Sequence, residues 1–173
     1  MESPLTHDSS SFLNFRRYSF RSPHAHAFRW VDAKRFRLRA PSAGDRRLLA
    51  ALIGHAWFRD AYAGGGAHAD ETRHGSYRLD AITPDTYERV GREEGAAVLR
   101  MWADRYGEVP DDLEADLRRE VFEPLARADG VHHLVGIGED DFHDWGGVHD
   151  EFHEFVLVDR FRGLLTLLVA ADD

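Results

Sequence analysis

The chain contains no cysteine, which excludes disulfides, thiolate metal sites and a cysteine nucleophile. It is also nearly without lysine: of 22 basic side chains, only Lys34 is not an arginine. Arginine codons are GC-rich, so the bias points to a GC-rich, bacterial-like coding composition rather than to a set of chosen phosphate forks. No stretch approaches the roughly 20 apolar residues that cross a bilayer. The first thirty residues lack an apolar signal core, so a cytoplasmic protein is expected. Gly64-Gly65-Gly66 has no lysine-serine after it and no strand before it, so it is not a phosphate-cradling loop. No serine stands in a nucleophile-elbow setting, and no internal repeat is evident.

What is present suffices for one folded domain. The 173 residues are 43% hydrophobic and 12% aromatic, enough for a sizeable core. Charge is unevenly placed along them. Residues 1–50 hold ten basic and four acidic side chains, net +6, whereas residues 108–173 hold five and eighteen, net −13. The densest feature is Ala128–Asp159, which has no lysine or arginine but nine carboxylates and five histidines. So many negative charges repel one another unless a cation, an imidazolium or a basic partner offsets them.

Residues 1–25 read as an extended basic and aromatic arm that docks on the domain or on a partner, with residues 26–173 as a single α+β domain. In 27–40, Phe36 and Leu38 alternate with Arg35, Arg37 and Arg39, which predicts a hairpin turning at Asp32-Ala33-Lys34. Ser42 and Asp45 resemble a capping box, followed by a helix with a stripe of Leu48, Leu49, Leu52, Ile53 and Trp57 that runs to Tyr62. A short strand is expected at 76–82. Thr83-Pro84 starts a second helix carrying Met101 and Trp102 on its apolar side, and Pro110 a third that Pro124 kinks. Trp57, Met101 and Trp102 are expected in the core. Strands are expected at 131–137, 152–159 and 164–170. The last two join through a turn ending at Gly163, and the last is apolar on both faces and so central. The fold class is α+β: a mostly antiparallel sheet, N-terminal hairpin plus C-terminal strands, covered on one side by two to three helices.

Three functions compete. The first is a non-enzymatic protein-interaction, regulatory or accessory module, acting through the basic arm (Arg16, Arg17, Tyr18, Phe20, Arg35, Arg37, Arg39) and the acidic C-terminal face. Its partner is another protein or a second copy of the chain, engaged in a salt-sensitive way. The second is a metal-dependent hydrolase or oxygenase. Without thiolates, imidazole and carboxylate are the ligands that Zn, Fe, Mn or Ni accept. Glu151 and His153, two apart on a strand, share a side about 7 Å apart and join His143, with His132, His133 or His149 completing the set. One of Asp144, Asp150 or Glu154 is then the general base. The same histidines among acids also suit a pH-responsive surface. His68, Asp70 and His74 form a second, weaker metal-type pattern. The third function is nucleic-acid binding through the arginines and aromatics of the first forty residues, opposed by a net charge of −9. The interaction module leads, no cofactor is expected for it, and no membrane partner is expected in any reading.

Overall fold

The computed structural model describes residues 2–22, 25, 28–142 and 151–172. Along the chain run β1 (Leu5–Asn14), β2 (Arg29–Leu38), α1 (Asp45–Ile53), β3 (Arg73–His74), β4 (Tyr77–Arg78), β5 (Tyr87–Val90), α2 (Arg92–Asp104), α3 (Asp111–Leu117), α4 (Glu123–Arg127), β6 (Gly130–Leu134), β7 (Glu151–Asp159) and β8 (Leu164–Asp172). Six strands make one antiparallel sheet in the order β1-β2-β8-β7-β6-β5, and β3 pairs with β4 alone. The class is α+β.

The doubly apolar β8 explains the layering. Leu165 and Leu167 enter one layer, with Phe36, Val156 and Val158, beneath Leu48, Leu49 and Leu52 of α1. Leu168 and Ala170 enter the other, with Val31, Phe155 and Leu157, beneath Leu99 and Trp102 of α2 and Leu113, Leu117 and Leu125 of α3 and α4. Each fully buried leucine contributes about 2 kcal/mol of transfer free energy. A strand apolar on both faces needs cover on both. The helices therefore lie on the two sides of the sheet, not on one as the sequence predicts.

The first residues dock on the domain by joining the sheet. Residues 5–14 are its edge strand, and the N-terminal hairpin is β1 with β2. A register shift between His7 and Ser9 carries the side chains across the pleat. Leu5, opposite Leu38, thus joins the α1 layer, and Leu13, opposite Val31, joins the other. The turn expected at Asp32-Ala33-Lys34 is absent. β2 runs straight through it for ten residues, because Asp32 and Lys34 find buried polar partners.

Other boundaries move for local reasons. α1 stops at Ile53 with Gly54 as C-cap, and His55 Nδ1 then accepts from Trp57 N (3.2 Å), starting a separate 3-10 turn. Thr83 and Thr86 do form a capping box, but it closes one 3-10 turn before β5, and α2 begins only after Gly91. A π-helical turn over Arg118–Phe122 separates α3 from α4, widening the helix ahead of Pro124. Trp102 is buried as expected, whereas Met101 (72% exposed) and Trp57 (39%) are not. The β7–β8 turn closes at Gly163 with φ 66°, as its sequence indicates.

Gly75, between β3 and β4, has φ 56°, and a Cβ there would lie 2.6 Å from the Phe152 ring. Gly75→Ala combines a left-handed backbone with overpacking, so it is expected to lower unfolding free energy by about 2 kcal/mol. Urea titration checks this; a native-like midpoint contradicts the close approach.

Candidate functional site

On the α1 face of the sheet, polar residues stand where apolar ones would be expected. Asp32 on β2 and Glu154 on β7 both lie opposite Val169 of β8, so the three form one row across the sheet. Lys34 follows two residues along β2 on the same face. The segment between α1 and β4 lies over this row and contributes Asp60, Tyr62 and His74. Lys34 is 3% exposed, Asp60 5%, His74 0% and Glu154 1%, so these groups are interior.

The ammonium of Lys34 has three donors and three acceptors. Nζ donates to Asp32 Oδ2 (2.8 Å), Asp60 Oδ2 (3.0 Å) and the Tyr62 hydroxyl (2.9 Å). Asp60 Oδ1 accepts the Tyr62 backbone N–H at 2.8 Å. Asp32 Oδ1 makes no hydrogen bond among the described residues. Burial, ahead of the opposing pull of Lys34, raises the Asp32 pKa, and the Asp60 charge adds to the rise.

Beside this group lies a second chain of contacts. His74 stacks flat on Phe58, with ring centroids 3.6 Å apart. Its Nδ1 meets the Phe58 carbonyl at 2.6 Å, an acceptor, so Nδ1 carries a hydrogen. Nε2 hydrogen-bonds Glu154 Oε1, and the Tyr87 hydroxyl donates to Glu154 Oε2. Burial and the Glu154 charge hold the Tyr87 phenol well above its ordinary range, so it stays protonated. In the first group two carboxylates, Asp32 and Asp60, share the single ammonium of Lys34.

The first group opens to a cleft of about 640 Å³, within the usual range for ligand sites. Asp32 and Asp60 form its floor, with Phe12, Phe28, Trp30, Tyr62 and Arg16 around it and Gly64 and Gly66 at one side. Phe12, Trp30 and Tyr62 stack in a row, with centroids 5.7 and 5.5 Å apart. Tyr62 has φ 55°, the single non-glycine residue with positive φ among those described. A bulky side chain resists that conformation. Here the Asp60 contact to its N–H and the Lys34 ammonium, 4.3 Å from its ring centroid, hold it.

The residues singled out by sequence are dispersed. His143 and His149 lie outside the described residues, as do Asp144 and Asp150. Glu151 and His153 do share a side, with Nε2 to Oε1 at 3.3 Å, but Glu151 Oε2 is taken by Arg105. His133 stacks on Phe155 (4.2 Å). His132 is bound to Asp45 at 2.7 Å. Among the described residues no three His, Asp or Glu side chains are placed to hold a metal. His68 pairs with Glu71 (3.7 Å), away from the buried His74.

The arginines have partners within the fold. Arg35 bonds Glu120 and Ser11 Oγ, Arg37 lies 3.4 Å from Asp8, and Arg39 lies 3.2 Å from Glu2. Tyr18 donates to Asp116, Phe20 packs against the helix-covered core, and Arg17 is exposed. Arg16 alone of that set lines the cleft, its guanidinium 4.8 Å from the Phe28 ring centroid.

Sequence reading missed Asp32, Lys34, Asp60, Tyr62 and His74 as a unit. One signal was available: the chain uses its single lysine where a compact charge meets three acceptors, a geometry the planar guanidinium does not serve. No family model matches this chain, and no curated protein matches it significantly.

Two outcomes follow from this geometry. His74→Leu strands the buried Glu154 carboxylate and is expected to cost about 3–5 kcal/mol. His74→Leu with Glu154→Leu should cost at least about 1 kcal/mol less than the sum of the two single changes. Additive losses in urea unfolding would refute the coupling of the two side chains. For Asp32, folding raises the pKa, so its contribution to stability is present below the unfolded pKa and is lost as pH rises through the folded value. Asp32→Asn is therefore expected to melt above the native protein at neutral pH. That gain should shrink on acidification toward about pH 4. A variant less stable at neutral pH overturns the sign.

Proposed function

We propose that the protein is a non-enzymatic interaction module of the cytoplasm, and that it recognises its partner in the cleft between β1–β2 and residues 60–66. The observation that carries this reading is the pair of rings at the mouth. Phe12 and Phe28 are 56% and 55% exposed, and they flank a cavity whose inner walls are the buried Trp30 and the strained Tyr62. Exposed aromatics rimming a formed cavity mark a binding surface more strongly than scattered ones do.

The state of the titratable groups favours binding over catalysis. All three Lys34 donors, both His74 nitrogens and both Glu154 oxygens are already engaged. A general base needs a free lone pair within reach of its substrate. Among the described residues at the floor, Asp32 Oδ1 alone lacks a hydrogen-bond donor. Arg35, Arg37 and Arg39 support recognition less than the cleft does, because each already has a carboxylate beside it. Arg16, at the rim, remains part of the partner-facing surface.

The test is a titration of a small-fragment library followed by NMR at the Trp30 indole. Saturable shifts are expected. A Phe12→Ser/Phe28→Ser variant should lose them while melting within a few degrees of the native chain, since both rings are exposed. If no fragment perturbs Trp30, or the rim variant responds like the native protein, the reading fails.

A further inference from the structure

We propose that the cleft accepts a cationic side chain, the ammonium of a lysine or the guanidinium of an arginine, presented by a basic segment of a partner protein. The charged head would sit at Asp32 Oδ1 and the alkyl stem along Phe12, Trp30, Tyr62 and Phe28. This inference rests on the cleft being the recognition site and adds the chemistry of what enters it.

Three independent features converge on a cation. First, two carboxylates at the floor, Asp32 and Asp60, share the single ammonium of Lys34, and Asp32, which lines the cavity, has its Oδ1 without a donor among the described residues. A partly buried anion whose second oxygen lacks a donor gains most from an incoming N–H. Second, the walls are aromatic faces, which attract a cation through their quadrupoles and cover the methylene stem of a long basic side chain. Phe28 already holds the Arg16 guanidinium 4.8 Å from its ring centroid, so this wall tolerates such a group. Arg16 itself is exposed and its charge is screened by water, whereas the floor is not. Third, the whole chain is at −9, which draws basic rather than acidic partners toward it. An anionic ligand would meet the Asp32 carboxylate at the floor. A neutral apolar one would desolvate that carboxylate while leaving its second oxygen without a donor.

A protein segment is favoured over a free amine by the size of the site. The cavity of about 640 Å³ exceeds one side chain, and the exposed rings of Phe12 and Phe28 extend it onto the surface, where flanking backbone would lie.

Capped tripeptides Gly-X-Gly, with X as lysine, arginine, norleucine or glutamate, test the inference together with n-butylamine, each titrated while following the Trp30 indole. The lysine and arginine peptides are expected to bind at least about ten-fold tighter than the norleucine peptide, which has the four-carbon stem of lysine without its ammonium. Glutamate should not bind, and added salt should weaken the basic peptides. Asp32→Asn should bring lysine down to the level of norleucine without loss of melting temperature. Phe28→Ser, at an exposed position, should weaken all binders while leaving the charge preference intact. Equal binding of lysine and norleucine, or a lysine preference that survives Asp32→Asn, overturns the inference while leaving the cleft as a recognition site. Tighter binding of butylamine than of the lysine peptide overturns the protein partner. Absence of any response at Trp30 removes both this inference and the function it rests on.

Discussion

The buried ammonium of Lys34 is the constraint from which the rest of this face of the molecule follows. A charge taken out of water is tolerated only where donors and acceptors match around it. Here the match comes from two directions. Asp32 comes from the same strand, while Asp60 and Tyr62 come from the segment that crosses above. β2 cannot turn at Asp32-Ala33-Lys34 without withdrawing Lys34 from those acceptors. The covering segment cannot lift without leaving a bare charge in the interior. The ion group thereby ties an irregular stretch to a regular sheet, which propensity alone would not achieve.

Tyr62 shows what that tie makes possible. A positive φ at a bulky residue costs of order 1–3 kcal/mol and persists only where its surroundings over-determine it. Its N–H is held by Asp60, its hydroxyl by Lys34, and its ring by Trp30 on one side and the edge of His74 on the other. The following glycines, Gly64, Gly65 and Gly66, all have positive φ and let the chain leave that conformation at once. The result is a phenol set upright as a cavity wall.

Legibility in the sequence tracked how local the determining physics was. The β7–β8 hairpin, the central place of β8 and the α3 stripe were readable because glycine conformation and apolar periodicity act within a few residues. The break of α1 at Gly54 and the extended path of Tyr87–Val90 were not, because pairing with β6 overrides a valid Thr83 capping box. The charge asymmetry was real as arithmetic and misleading as geometry. β2 hydrogen-bonds directly to β8, so the basic beginning and the acidic end meet in one sheet, and Arg35 reaches Glu120 across it. The candidate site was hidden for a related reason. Asp32 and Lys34 look like turn residues until partners 26 and 28 positions away from Lys34 are seen to fold over them.

The two polar groups under the covering segment differ in how completely their hydrogen bonds are satisfied. The His74–Glu154–Tyr87 chain is closed, with both His74 nitrogens and both Glu154 oxygens paired. It behaves as core that happens to be polar, and its value lies in specifying one arrangement of the covering segment. The Lys34 group is not closed, since Asp32 retains an unengaged oxygen and an elevated pKa where the interior meets the cleft. Leaving a carboxylate half-satisfied costs stability, and an asparagine in that place would avoid the cost. One polar network of this fold is thus complete, while its neighbour keeps an unengaged carboxylate oxygen beside an aromatic cavity.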